Sequence, residues 1–259
     1  MTLRARINVS CLAVGALAAA SAVVIAWDRP RDQLIADVLL SAAFVAGIAH
    51  RFIRPLFVNR AQRAILESAQ RHDVSAVRRG IVELRPLLSV AHQRVLDTYE
   101  AFTLLVEERW QEALDKMLAT DRAIFARTGT EAMLDNNIAW ARLHLGEAEA
   151  AIALVEQALA KVKTARARAA CLGTLGAAQV AANRPNEAVA TLERALAGGD
   201  ATPASQATRA WWLGEAHRAL GRVDEARAAY ERAIRESPDT RSGRRARAQL
   251  DALPPGPYR

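Results

Sequence analysis

Residues 211–238 read WWLGEAHRALGRVDEARAAYERAIRESP, from Trp211 to Pro238, and the reading of this stretch decides the fold. It predicts two helices and a tight turn. The first helix carries Leu213, Gly214 and His217, and the turn sits at Gly221-Arg222. The second begins near Asp224-Glu225, carries Ala226, Tyr230, Ala233 and Ile234, and stops at Pro238. The physical logic is close packing. Gly214, Ala226 and Ala233 are small where two helices cross, and Leu213, His217 and Tyr230 fill the space around them.

The same small residue of the second helix recurs toward the N-terminus. Ala188 stands in NRPNEAVATLERAL, Ala151 in GEAEAAIALVEQAL, Ala113 in RWQEALDKML and Ala76 in HDVSAVRRG, so the spacings are 37, 38, 37 and 38 residues. A fixed period in this range is the signature of stacked helical repeats. Ala151 and Ala188 have full company: Gly146 or Asn183 before, Ala158 or Ala195 after, with Gly176 in the first helix of the Ala188 unit. The Ala113 unit has Thr120 where a small Ala is expected. The Ala76 unit reads equally as a plain helical pair.

Leu-Gly-x-x-aromatic, Gly, Ala-x-x-x-aromatic-x-x-Ala and Pro together resemble the tetratricopeptide (TPR) repeat, with His217 at the aromatic position. The period exceeds the 34 residues of that family, and the family's first Trp falls on Ala210, just before the tryptophans. The resemblance implies a non-catalytic scaffold that binds proteins on a concave face lined by the first helix of each pair. The family's groove positions carry over to Thr98 and Phe102, Asn136 and Trp140, Gly173 and Ala177, Trp211 and Glu215, with Leu143 and Arg218 behind them. Phe102, Trp140 and Trp211 are either binding anchors or ordinary inter-repeat core. Some TPR groups clamp a carboxylate with Lys and Asn. Only Asn136 and Asn137 suggest this here, so that recognition is not expected.

Before the repeats, Ile7 to Trp27 is 21 residues without a charge, enough to cross a bilayer as a helix. Ala20-Ser21-Ala22 offers a signal-peptide alternative, but the apolar run continues past it. After the polar DRPRDQ turn at 28–33, Leu34 to Ala49 is apolar except for Asp37 and extends toward Ile53. Two such segments read as a transmembrane hairpin, with Gly15/Ala19, Ala18/Ala22 and Ala43/Gly47 allowing close approach. Asp37 lies about a turn inside its helix, where Arg29 or Arg31 and the headgroups can meet it. Arg4, Arg6, Arg51, Arg54, Arg60 and Arg63 flank the hairpin on one side and only Arg29 and Arg31 on the other, which puts both termini in the cytoplasm. The flanking arginines would also meet anionic lipid headgroups.

Of the net charge of +7, residues 1–63 hold +5 and 241–259 hold +4, leaving the repeat body near −2. Phosphate-driven nucleic-acid binding wants the reverse distribution. Cys11 and Cys171 lie in separate segments, and the five histidines are scattered. No nucleophile elbow, phosphate loop or metal-ligand spacing appears, so neither a catalytic site nor a cofactor is expected.

The expected protein is all-α. Residues 1–53 form the hairpin (spans 7–27 and 34–53), and 54–90 a basic juxtamembrane segment with a degenerate first helix pair. Residues 91–238 form the TPR-like part of a solenoid of about four to five pairs. A capping helix with solvent-facing Arg241, Arg244, Arg245 and Arg247, then a disordered tail, occupies 239–259. The expected role is a scaffold on the bacterial inner membrane facing the cytoplasm. Two alternatives stay open: the same fold facing the periplasm in envelope or secretion assembly, and an RNA- or anionic-lipid-binding adaptor using the arginine clusters, which salt would weaken steeply.

Overall fold

The computed structural model describes residues 3–25, 31–70, 73–88, 90–198 and 202–254. Among these residues the chain is helical throughout, with no strand. The expected 28–33 turn lies partly, and the 255–259 tail wholly, outside the described residues, as do residues 199–201. The chain divides into two compact units, Met1–Val106 and Glu107–Arg259.

The first unit is built on α1 (Leu3–Ile25) and α2 (Arg31–Gln70). The two run antiparallel. Cys11 Sγ lies 3.9 Å from His50 Nδ1, and a Cβ placed on Gly15 would stand 3.3 Å from Ala46 Cβ. Gly15 therefore makes the close approach expected of it. On α2 the residues that meet it are Ala42 and Ala46; Gly47 has nothing within 4 Å and, with Ala43, faces outward. A helical stripe is about 100° wide, so a step of one residue moves a side chain off it.

Proline commonly interrupts a helix, yet α2, 40 residues and roughly 60 Å long, runs through Pro55. Proline's fixed φ suits a helix and costs a backbone hydrogen bond. The residues beyond it are held by packing: Phe57, Val58, Ala61 and Ile65 join Val77, Ile81 and Leu84 of α3 (Val74–Leu84) and Leu96 of α4 (Val90–Val106) in one apolar cluster. The close approach of α3 is at Gly80, where a Cβ would stand 2.5 Å from Ile65 Cγ1. Ala76, the weakest of the recurring alanines, is half-exposed and its N–H is capped by Asp73.

The second unit stacks three helix pairs: α7 (Glu131–His144) with α8 (Ala148–Lys161), α9 (Ala165–Ala181) with α10 (Pro185–Ala197), and α11 (Pro203–Ala219) with α12 (Val223–Glu236). In front lie α5 (Trp110–Leu118) and the short α6 (Arg122–Thr128), and α13 (Arg241–Ala252) follows. The recurring alanines Ala113, Ala151, Ala158, Ala188, Ala195, Ala226 and Ala233 are all fully buried. A Cβ on Gly176 would stand 2.8 Å from Leu192 Cδ2, and one on Gly214 2.5 Å from Tyr230 Cδ1. Small residues thus let the two helices of a pair come together, as the sequence logic required.

The turns repeat as well. Glu108, Gly146, Asn183 and Gly221, 38, 37 and 38 residues apart, all have positive φ. At the last three the next N–H donates back to a carbonyl five residues earlier: Glu147 to Arg142, Arg184 to Gln179 and Arg222 to His217. Each left-handed residue thereby satisfies the free carbonyls of a helix end and reverses the chain. First helices start alike too. Thr164, Thr202 and Thr240 each accept a hydrogen bond from the backbone N–H three residues on. By this cap α13 starts as a first helix does, and no second helix follows it among the described residues.

Candidate functional site

The face expected to bind partners is that of the first helices of the pairs. In the second unit most of its predicted residues are interior. Asn136, Leu143, Gly173, Ala177, Trp211 and Glu215 are buried; Trp140 is half-buried and Arg218 exposed. Thr98 and Phe102 lie on α4 of the first unit, half-buried, and Phe102 packs on that unit's core.

The buried residues have identifiable neighbours. Arg209 lies against Gly173, its Cγ and Nε 3.2 Å from where a Cβ would stand, and donates to the Ala195 carbonyl at 3.1 Å. A larger residue at 173 would push that side chain away. Burial lowers the pKa of the Arg209 guanidinium, and among the described residues no carboxylate pairs with it. Glu215 accepts from Tyr230 Oη at 2.7 Å and pairs with Arg218 at 2.7 Å. Burial first, and the bond to Glu215 second, raise the Tyr230 pKa, so the phenol stays protonated and donates. Asp135, fully buried, is met by Arg122 and by Lys161 at 3.6 Å, and these cations also pair with Glu131.

The most distinctive arrangement is aromatic. His144 stacks on Trp110, centroids 4.1 Å apart and nearly parallel, and meets Trp140 edge-on at 4.8 Å. The Arg241 guanidinium lies 5.7 Å above Trp110 and pairs with Glu108 at 2.7 Å. Arg245 lies 5.3 Å above Trp211, which meets Trp212 edge-on at 4.5 Å. A side chain of the last helix of the unit thus reaches its first. Burial, then the charges of Arg241 and Arg245, depress the His144 pKa to about 4. Trp211 Nε1, Trp212 Nε1 and His144 Nε2 are buried without a hydrogen-bond partner among the described residues.

This array was missed by the sequence reading. Arg241 and Arg245 were expected to face solvent: Arg245 is exposed, Arg241 is half-buried, and both also lie over tryptophan rings, because the stack brings α13 against α11 and α5. Periodicity places residues on a helix face but says nothing of a contact such as that of Arg241 with Trp110, more than a hundred positions away. The recurring Thr cap at Thr240 was the available signal that α13 belongs to the stack. Arg244 and Arg247 are exposed.

In the first unit, Arg4, Arg6, Arg51, Arg60 and Arg63 are exposed, while Arg54 is half-buried and donates to the Leu87 carbonyl. Among the described residues Val38–Ser68 is long and apolar enough to cross a membrane, at a mean hydropathy of 1.3. Within it Leu39, Leu40, Phe44, Phe52 and Leu56, and on α1 Leu12 and Leu17, are between 65% and 75% exposed.

Among the described residues no group of three or more His, Cys, Asp or Glu could hold a metal ion. Both cysteines are free, and burial lifts the Cys171 thiol to about 11, which leaves it unreactive.

A stack of helix pairs with a lined inner face is the architecture of a repeat scaffold. Residues 174–240 match the tetratricopeptide repeat family model. No curated protein matches the chain. Among solved structures it is similar to BtubC (BKLC) from P. vanneervenii, at 21% identity over 78% of this chain and 94% of that one, with a TM-score of 0.47. It is also similar to a protein of nearly identical TPR-like repeats from Podosopora anserina, at 21% identity over 71% and 94%, with a TM-score of 0.42.

Proposed function

We propose that this chain is a non-catalytic scaffold held on the bacterial inner membrane by the α1–α2 hairpin. Its TPR stack faces the cytoplasm and captures partner proteins on the first-helix face. The observation that carries the anchoring is the band of exposed large apolar side chains on α1 and α2, from Val9 to Leu17 and from Ile35 to Leu56. Singly exposed apolar residues are ordinary, but a continuous band this size wants lipid or a partner. The exposed Arg4, Arg6, Arg51, Arg60 and Arg63 suit the headgroup region of one leaflet. Repeat proteins of this class typically bind other proteins, and partner capture is carried over on that ground.

Of the C-terminal arginines that an RNA-binding reading would use, Arg241 is half-buried on Trp110 and paired with Glu108, while Arg244, Arg245 and Arg247 are exposed. The test is topology. Reporters active only in the cytoplasm, or only outside it, are fused after residue 63 and at the C-terminus of the full chain. Cytoplasmic activity at both positions supports the hairpin. Activity outside at both would overturn the orientation in favour of a periplasmic stack, and chain released from membranes by alkaline carbonate would overturn the anchor.

A further inference from the structure

The repeat body is slightly acidic as a whole, yet one edge of it is basic. From Gln157 to Asn186 the chain has no Asp or Glu, and it carries Lys161, Lys163, Arg166, Arg168 and Arg184. Arg184 lies at the far end of α9 and pairs with Glu149 at 2.8 Å. The other four fall at the junction of α8 and α9. Val162 and Thr164 are extended there, Val162 turns into the core, and Lys163 is therefore turned outward. Arg166 and Arg168 are exposed in the first turn of α9, where side chains lean back toward the start of the helix and so toward Lys163.

The fold itself makes little use of these charges. Lys161 suits the C-terminal end of α8 and pairs with Glu131 at 3.1 Å. Lys163, Arg166 and Arg168 pair with no carboxylate among the described residues. They also stand at the positive end of the α9 dipole, where acidic residues are favoured, and α9 has none in its first turn. At the same place α7 carries Glu131 and α11 carries no charge. Cations kept against the dipole and against their own repulsion point to a polyanion outside the fold. No exposed large apolar side chain lies between 157 and 186 to build a buried protein interface around them. A body near −2 does not suit a nucleic acid. The exposed Arg4, Arg6, Arg51, Arg60 and Arg63 already ask for an anionic leaflet beside the hairpin.

We propose that the edge formed by Lys163, Arg166 and Arg168 docks on the anionic phospholipid headgroups of that same leaflet, so that the stack rests on the membrane by this edge. The docking rests on anchoring by the α1–α2 hairpin. The anchor keeps the edge at high effective concentration near the headgroups, so a contact of three cations is sufficient.

The test uses the full chain in nanodiscs of phosphatidylcholine alone, or of phosphatidylcholine and phosphatidylglycerol at roughly three to one. A fluorophore on Ala160→Cys, an exposed position beside the patch, transfers energy to an acceptor on the headgroups; the two natural cysteines are buried. Transfer should be higher in the anionic discs and fall to the phosphatidylcholine level at high salt. Each cation contributes about fivefold to the docking constant, so Lys163→Glu/Arg166→Glu/Arg168→Glu should weaken it on the order of a hundredfold. The same variant puts acids at the positive end of the α9 dipole, so its Tm by circular dichroism should be no lower than that of the unsubstituted chain. Equal transfer in the two discs, or unchanged transfer in the variant, overturns the proposal. A lower Tm overturns it as well, because the cations would then belong to the fold. A polyglutamate peptide that binds the patch while transfer ignores lipid charge would replace the lipid by an acidic protein segment. Alkaline carbonate reports on the anchor separately. Release of the chain removes the anchoring beneath the proposal, whereas a retained chain with equal transfer removes the docking alone.

Discussion

Replacing Gly214 by Ala tests the packing logic of the repeat at its tightest point. Two effects oppose each other. Alanine in a helix interior is favoured over glycine by roughly 0.5–1 kcal/mol. The added methyl, however, would stand 2.5 Å from Tyr230 Cδ1 and 3.0 Å from Cζ. The Tyr230 ring has nowhere to go. It is fully buried and its hydroxyl is held by Glu215, which Arg218 holds in turn. Overpacking of this kind costs about 1–3 kcal/mol, so the clash wins and the variant should lose about 1–2 kcal/mol. For a chain of this size that is a fall in Tm of roughly 2–8 °C. Gly173→Ala is the internal control. Its methyl meets only the Arg209 side chain, at 3.2 Å, and that long stem can shift. The measurement is thermal unfolding by circular dichroism on the purified full chain. Gly214→Ala should melt well below Gly173→Ala, and adding Tyr230→Leu to Gly214→Ala should show favourable coupling in a double-mutant cycle. A rise in Tm for Gly214→Ala would refute the argument, because propensity would then outweigh a contact that is not as close as described.

Ala188→Leu, at a fully buried helix crossing, should destabilise by about 1–3 kcal/mol, and an unchanged melting curve would sink the repeat register. Asn183 has φ of 58°, so Asn183→Gly should be neutral or slightly stabilising, whereas Gly221→Ala, at φ of 70°, should cost about 1 kcal/mol; urea unfolding decides both. His144 makes stability depend on pH. Its folded pKa of about 4 lies below the unfolded value of 6.5, so between these pH values the unfolded chain binds the extra proton. Its contribution is fully present above about 6.5 and is lost as pH falls toward 4. Allowing for its partial exposure, the loss is about 2 kcal/mol, and His144→Phe should flatten the stability profile over that window. Trp140→Ala with Trp211→Ala should weaken partner capture with helical content kept; a variant that unfolds instead assigns both rings to the core.

The parts of this structure that the sequence made legible are those set by local periodicity. The buried alanines recur at 37 and 38 residues because each must sit at the same crossing of two helices. The left-handed turns recur with them, and two of the four are glycine because the conformation is cheap for it. Helix ends were less legible. Pro55 reads as a stop, yet packing of Phe57, Val58 and Ile65 on α3 carries α2 past it. The α6 helix went unread although Asp121 caps its start and Gly129 its end, since seven residues are too few to establish a period.

The candidate face was the hardest to read, and the reason is physical. Family positions place Asn136, Gly173, Ala177, Trp211 and Glu215 on the first helices correctly as to helix. Whether such a position is open depends on what the rest of the chain lays over it. Gly173 is covered by Arg209 of the next pair, and Trp211 by Arg245 of α13. The Arg241–Trp110 contact joins residues 131 positions apart, and no window of periodicity spans that distance. Arginine on a helix reads as a solvated charge because most arginines are. Here the alternative was a tryptophan face at the far end of the same stack, which desolvates the stem and keeps the charge partnered. An arginine-rich terminal helix after a TPR-like stack is thus ambiguous in sequence between a solvated cap and a helix that continues the stack. The geometry favours the second: α13 packs on α11 through Thr208 and Ser242, buries Ala246, and reaches Trp110 and Trp211 with Arg241 and Arg245.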